Sequence, residues 1–393
     1  MGNSNKENVA IQRLASLFDE GIFTEIDPFA KGENGEVEVV ACYGDSNGVQ
    51  LTQGFEVLNA FGEVVKAASM LSGVVPQVSV IAGACLGTSA LIANMADVVI
   101  ASKDSDFYIT APSDITVEES AKNGTVDIMC DDVDSALNEA KKVICMLPKN
   151  NLYSAPMVDF EYSAPSVSAV DGASVEDIVN SVLDSTLSVE FKAEYGKHVI
   201  TKLGTVEGST VGIVAFNNDE ICPNCAYKAE AMVKLCDAFN IPVITVANST
   251  GLTKGKDAQM LVAATKLTTA YASATCPKIS LITGQAIGAS YIILAGKGAN
   301  ADVTLAWQNA VASPLDVEAA VAFLYNDRLA DGEDRAKLEA EYKETVGSAF
   351  TAAACGAVDD VFPAEETRTK IASYLDMLMS KRETTIPRKH SVK

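Results

Sequence analysis

The sequence predicts an α/β protein assembled from two related halves, and two observations carry that expectation. The first is a long internal repeat. Residues 76–93, PQVSVIAGACLGTSALIA, return as PKISLITGQAIGASYIIL at 277–294, with a constant offset of 201 and identity at seven of eighteen positions. Gly83/Gly284, Gly87/Gly288 and Ser89/Ser290 are among the identical pairs. A period this long marks one domain-sized unit present twice, not a short solenoid repeat. The second observation is element order. In both halves a strand, a helix, the repeated strand and another helix follow one another, which argues for an α/β fold whose strands pair largely in parallel.

Taken along the chain, residues 11–26, IQRLASLFDEGIFTEI, read as a short amphipathic helix followed by an edge strand. VNSVLDSTLSVEFK (179–192) echoes them ahead of the second strand-rich section. VEVVACY (37–43) is a strand ending in the loop Asp45-Ser46-Asn47-Gly48, and VITVAN (243–248), followed by Ser249-Thr250-Gly251, is its counterpart. Asn47-Gly48 between alternating runs is also a two-residue hairpin signal. The reading as strand, loop and helix keeps the halves in register from Gly48 onwards. Helices follow at about 55–72 and 257–273 and lead into the repeated strands VSVIAG and ISLITG. Beyond the repeat come ADVVIAS and DFYIT (96–110) in the first half and ADVTLAW (301–307) in the second.

Residues 147–173 are rich in Pro, Ser and Ala and lack a clear period, so they read as the connection between halves 1–173 and 174–393. The second half is the more complete. It alone opens with a hairpin, LGTVEGSTVGIVAFN (203–217). A charged helix at 331–346, a final helix near 365–381 and the basic tail Pro387-Arg388-Lys389-His390 close the chain.

The chemistry suggested by the repeat lies in its turn. Each copy passes from a buried strand through small residues into an apolar helix that starts near the second glycine, so backbone N–H groups are presented at a helix N-terminus. Unpaired donors backed by the helix dipole suit an oxygen that gains negative charge during a reaction. Gly87 and Gly288 leave room for such an approach, because a Cβ there would hold a ligand away. The same glycines could serve only to pack a helix on a strand; their duplication in matched surroundings favours the functional reading.

Composition limits the alternatives. A net charge of −22 over 393 residues speaks against binding bulk nucleic acid or an anionic membrane surface. Nine cysteines, mostly in apolar contexts, indicate a reducing compartment, and no run reaches transmembrane length without a polar interruption. A cytoplasmic protein without membrane insertion is expected. Two histidines, His198 and His390, give little support to nucleophile–histidine catalysis. Cys222-Pro223-Asn224-Cys225 is a CxxC, but a structural zinc takes four ligands and no second CxxC is present. No metal is assigned. The motif is either a plain loop or a redox or metal element. No P-loop or dinucleotide fingerprint occurs.

With these stretches in view, the chain resembles the biotin-dependent acyl-CoA carboxyltransferase subunits, the β-subunit family of acetyl- and propionyl-CoA carboxylases with their decarboxylase relatives. CDAFNIPVITV (236–246), AYASATCPKISLITGQAIGASY (270–291), GAVDDVF (356–362) and the terminal RKH (388–390) follow the family order in the second half. RLASLFDEGIFTEID (13–27), DSNGVQLTQG (45–54) and GVVPQVSVIAGACLG (73–87) do so in the first. The resemblance implies tandem crotonase-like ββα-spiral halves, with the N-terminal half shortened by roughly one supersecondary unit.

It further implies carboxyl transfer between carboxybiotin on a separate carrier protein and a small acyl-CoA: acetyl-, propionyl-, malonyl- or methylmalonyl-CoA. Gly87 and Thr88 would hold the thioester oxygen, and Gly288 and Ala289 the biotin ureido oxygen. Ser46, Gly48, Gly251, Tyr291 and Ile292 would contact substrate, although Ile292 could equally be a core residue. Biotin carboxylase or decarboxylase subunits, and a homodimer or larger ring, are the implied partners. The sequence departs from the family pattern at Asn47, Gln50, Thr88 and Pro314-Leu315-Asp316, where the family has glycines, an arginine and a Met-Gly-Ala loop. Those losses motivate a rival reading, a catalytically reduced structural partner within a carboxylase or decarboxylase complex. A hydratase is disfavoured because paired carboxylates near the turn are not evident.

Overall fold

The computed structural model describes residues 40–46 by their backbone, and 54–110, 113–159, 169–217 and 220–384 in full. The helix and edge strand expected at 11–26, the loop containing Asn47 and Gly48, and the basic tail lie outside these residues. The chain divides into two compact units, Met1–Val158 with Val189–Tyr195, and Asp159–Ser188 with Gly196–Lys393.

In the first unit β1 (Val40–Ser46) leads to α1 (Phe55–Leu71) and then to β2 (Gln77–Leu86). Next come α2 (Thr88–Ala93), β3 (Val98–Ser102), β4 (Asp106–Tyr108), α3 (Val117–Lys122), β5 (Ile128–Cys130) and α4 (Val133–Met146). The sheet order is β1-β2-β3-β5, with β4 pairing the far end of β2, and every pair is parallel. The first six residues of β2 are buried, as expected for a strand covered on both faces. Carboxylates close the strand starts. Asp97 accepts from the Gln77 amide at 2.9 Å, and Asp127 from the Val99 amide at 2.7 Å. Burial pushes the Asp97 carboxyl up to about 6, against the hydrogen bond from Gln77. Ile81, Cys85, Val99 and Phe107 belong to the core beneath α2.

In the second unit α5 (Val175–Val182), capped by Ser174, precedes a short strand, Ser188–Phe191, which crosses the boundary between the units. The expected hairpin forms as β6 (Val199–Val206) and β7 (Ser209–Phe216), paired antiparallel. Then follow β8 (Glu220–Ile221), α6 (Pro223–Ala238), β9 (Val243–Ser249), β10 (Gly251–Leu252) and α7 (Asp257–Ser273). The repeat supplies β11 (Lys278–Ile287) and α8 (Ala289–Leu294), and after it come β12 (Val303–Trp307) and β13 (Val311–Ser313). Helices α9 (Val317–Leu324) and α10 (Arg335–Thr345), strand β14 (Asp360–Phe362) and α11 (Thr367–Leu378) close the unit. The path through its main sheet runs β14-β12-β11-β9-β7-β6, with β13 on the far end of β11.

The duplication extends well beyond the identical residues. Both repeated strands have ten residues and both preceding helices have seventeen. β1 on β2 and β9 on β11 each slip register just before the last paired residue, at Ser46 and Ser249. Asp302 and Asp359 repeat the work of Asp97 and Asp127, accepting from the amides of Lys278 and Thr304 at 2.8 and 2.9 Å. Among the described residues the first sheet has no antiparallel hairpin, in keeping with a shortened first half.

The hairpin turn is held from outside. Glu207 and Gly208 both have positive φ, 51° and 78°, the pairing a type I′ turn needs. Their amides donate to Asp184 at 3.1 and 2.9 Å, and the Arg368 guanidinium donates to the same carboxylate at 2.5 Å. Burial alone would raise the Asp184 pKa, but the Gly208 amide and Arg368 outweigh it and hold the carboxyl below its ordinary value. A depressed folded pKa contributes stability above the unfolded value of about 3.9 and loses it as pH falls through the folded pKa. Asp184→Ala is therefore expected to cost about 3–5 kcal/mol near pH 7, because it strands a largely buried guanidinium. In urea unfolding the deficit should shrink below about pH 4.

Candidate active site

Each repeated strand ends in a glycine with nearly the same backbone: Gly87 at φ 62°, ψ −129° and Gly288 at φ 54°, ψ −121°. Side chains rarely adopt this conformation, so both turns require glycine. Each glycine is the N-cap of a six-residue helix. Its own amide is already engaged, Gly87 N–H donating to the Tyr108 carbonyl at 3.0 Å and Gly288 N–H to the Ser313 carbonyl at 2.8 Å. The donors left to a ligand are thus those that follow, beginning with Thr88 and Ala289, because the first amides of a helix have no acceptor within it.

The surroundings of the two turns differ. Beside the first lies a cavity of about 360 Å³ lined by Leu91 of α2 and its C-cap Asn94, by Tyr108 at the end of β4 and Ile109 after it, and by Ser120 and Thr125 farther along. Leu91 is 45% exposed, and the repeat sets it in register with Ile292, which is 55% exposed. Ile292 is therefore not a core residue. At the second turn the Pro314 carbonyl lies 3.1 Å from where a Cβ on Gly288 would stand. Asp316 then caps α9 by accepting from the Ala319 amide at 2.9 Å.

The loop after β9 is fixed to the second turn by a buried hydroxyl. Ser290 Oγ accepts from the Ile287 amide at 3.0 Å and lies within hydrogen-bond distance of the carbonyls of Ser249 and Ile287. Gly251, at φ 140°, is held by the Ser249 hydroxyl, which accepts from its amide at 3.2 Å. Asn248 accepts from the Gln285 amide at 3.0 Å, an approach open only because Gly284 has no side chain: a Cβ there would stand 2.4 Å from Asn248 Oδ1. Tyr291 donates to the Ala357 carbonyl at 3.1 Å; burial raises its pKa.

The structure thus gathers Gly251, Gly288, Ala289 and Ile292 around the second turn, with Tyr291 tied to the Ala357 carbonyl. Around the first it places Gly87 and Thr88, with Ser46 in register with Cys85 at the end of the neighbouring strand. Gly48 lies outside the described residues. Leu91 and the cavity were missed by sequence reasoning, although the repeat that selected Ile292 also aligns Leu91. Among the described residues no group of three or more His, Cys, Asp or Glu side chains is placed to hold a metal. None of the helices described is long and apolar enough to cross a membrane.

Comparison with known proteins gives the chain its family. The model of the carboxyl transferase domain matches residues 36–392. This chain belongs to the carboxyl transferase domain family. The domain is 31% identical over 382 residues to the methylmalonyl-CoA carboxyltransferase 12S subunit of Propionibacterium freudenreichii subsp. shermanii, covering 88% of this chain and 73% of the relative. It is 30% identical over 395 residues to the propionyl-CoA carboxylase beta chain of Saccharopolyspora erythraea, covering 88% and 72%. A similar match, 28% identical over 385 residues, joins it to the methylmalonyl-CoA decarboxylase subunit alpha of Propionigenium modestum, covering 88% and 74%. Among solved structures, transcarboxylase 12S with methylmalonyl-CoA and methylmalonic acid bound superposes with a TM-score of 0.83 at 29% identity, covering 90% of this chain and 75% of that one. The tandem crotonase-like architecture of the carboxyl transferase domain is thereby established.

Proposed function

We propose that the chain is the carboxyltransferase subunit of a biotin-dependent system, moving a carboxyl group between carboxybiotin on a separate carrier and a small acyl-CoA. The observation that carries the reading is the pair of matched turns, each presenting helix-terminal amides behind an obligatory glycine, within a chain that matches the family over 36–392. Carboxybiotin, when bound, supplies the carboxyl group. The amides after Gly87, with Thr88 first, donate to the thioester oxygen as it takes on enolate charge. Those after Gly288, with Ala289 first, would donate to the ureido oxygen. Fixed donors aimed at developing charge need no reorganisation during the reaction, which is why such an arrangement can work without a side-chain nucleophile.

The residues present fit these groups. Among the described residues only the Ile109 carbonyl, at 4.0 Å, lies within reach of a Cβ placed on Gly87, which leaves room for a thioester on that side of the turn. Leu91 and Ile292 give each turn an apolar flank suited to an acyl chain or a biotin ring. Methylmalonyl-CoA and propionyl-CoA are the favoured substrates, because the relatives named for them cover most of the chain. A biotin carrier and a carboxylase or decarboxylase subunit are the partners this chemistry requires. We place the protein in the cytoplasm, on the ground that the described cysteines are free thiols.

Carboxyl transfer from methylmalonyl-CoA to free biotin by the purified chain tests the reading. Turnover supports it; no turnover with either methylmalonyl-CoA or malonyl-CoA, while another subunit supplies the activity, would favour the structural partner instead. The cavity beside the first turn gives a finer test. Leu91→Trp should fill part of it and raise KM for the acyl-CoA by about tenfold, with the melting temperature unchanged because Leu91 is half exposed.

A further inference from the structure

Cys222 and Cys225 stand outside the transfer machinery, yet the fold sets them as a working pair. Cys222 follows β8 and is the N-cap of α6, and Pro223 fixes the first position of that helix. The two Sγ atoms are 2.6 Å apart, and the Cys225 amide donates to Cys222 Sγ at 3.2 Å. A disulfide needs an S–S separation of about 2.05 Å, so only a small approach separates the pair from a bond. Access is unequal: Cys222 is half-buried and Cys225 fully buried. The Cys225 thiol, hydrogen-bonded to Cys222, lowers the pKa of Cys222 against the effect of burial; the Cys225 amide and the charge of His198 act in the same direction. The same hydrogen bond and deeper burial push Cys225 up. The outer sulfur is therefore the thiolate and the inner one the proton-bearing partner, an arrangement matched to attack by the first and resolution by the second.

We propose that Cys222-Pro223-Asn224-Cys225 is a thiol–disulfide exchange site that takes a low-molecular-weight disulfide as its oxidant. The Cys222 thiolate attacks one sulfur of that disulfide; the external S–S bond breaks, a mixed disulfide forms on Cys222, and one thiolate leaves. Cys225 gives its proton to solvent and attacks Cys222 Sγ, forming the internal disulfide and expelling the second thiolate. Two protein thiols are oxidised by two electrons, and one external disulfide is reduced to two thiols. A dithiol reverses both steps.

The test equilibrates the full-length reduced chain with glutathione buffers from fully reduced to fully oxidised, then alkylates free thiols and maps peptides by mass spectrometry. The expected result is loss of two hydrogens on the peptide holding Cys222 and Cys225, restored by dithiothreitol, while the exposed Cys145 and Cys355 carry at most single glutathione adducts. Cys225→Ser should accumulate a mixed disulfide at Cys222, and Cys222→Ser should remove exchange at the pair. Should either variant fail to fold, the unmutated chain still decides. Both sulfurs remaining alkylatable in fully oxidised buffer would overturn the proposal. So would a stable glutathione adduct on Cys222 with Cys225 still reduced, or a stoichiometric metal ion that protects both sulfurs.

Discussion

Ala289→Pro is expected to lower the rate of carboxyl transfer by about 10²–10³, the usual cost of removing one oxyanion donor, while leaving the fold close to the parent. Proline removes the N–H that the second turn offers and little else. Residue 289 is the first of α8, the helix position where proline is tolerated because no intrahelical bond is lost. Its side chain is exposed, so the ring has room. The preceding residue is glycine at φ 54°, ψ −121°, the mirror image of the extended conformation favoured before proline and open to glycine alone. The melting temperature should therefore move little, and the loss should appear in kcat as well as in kcat/KM, the mark of an interaction made in the transition state.

Thr88→Pro is the matching experiment on the first turn, and a comparable loss of about 10²–10³ is expected there. Thr88 begins α2 after Gly87, whose φ of 62° and ψ of −129° repeat the geometry of the second turn. Thr88→Ser and Thr88→Gly keep the amide and should transfer at close to the parent rate. Their behaviour also shows whether the threonine, where the family has glycine, costs activity. If the first turn serves the thioester, Thr88→Pro should slow reactions of acyl-CoA. A rate equal to the parent would leave Gly87 as a packing glycine and shift the account towards a reduced first half.

Much of the fold was legible because long apolar-rich runs are bounded by clear turn residues. The helices expected at about 55–72 and 257–273 are Phe55–Leu71 and Asp257–Ser273, and the hairpin at 203–217 forms with Glu207-Gly208 at its turn. Short elements without a period of their own were not legible. Val311–Ser313 is three residues long and is a strand only because it meets Gln285–Ile287 in register. Helices Val117–Lys122 and Val133–Met146 announce themselves through caps at Thr116 and Asp132, signals that the search for a repeat passed over. At the site, the repeat located both turns but could not show which amide is spent. The engagement of Gly87 by Tyr108, and of Gly288 by Ser313, depends on strands that arrive from 21 and 25 residues downstream. That tertiary pairing moves the expected donor one residue along, to Thr88 and Ala289.

The most direct measurement compares Ala289→Pro with Ala289→Ser in single-turnover transfer from methylmalonyl-CoA to free biotin, with both variants checked for parental melting temperature. The serine variant keeps the amide and should react at the parent rate, while the proline variant should be slower by about 10²–10³. Equal rates for proline and serine would show that the amide at this turn does not stabilise the transition state, and would contradict the account.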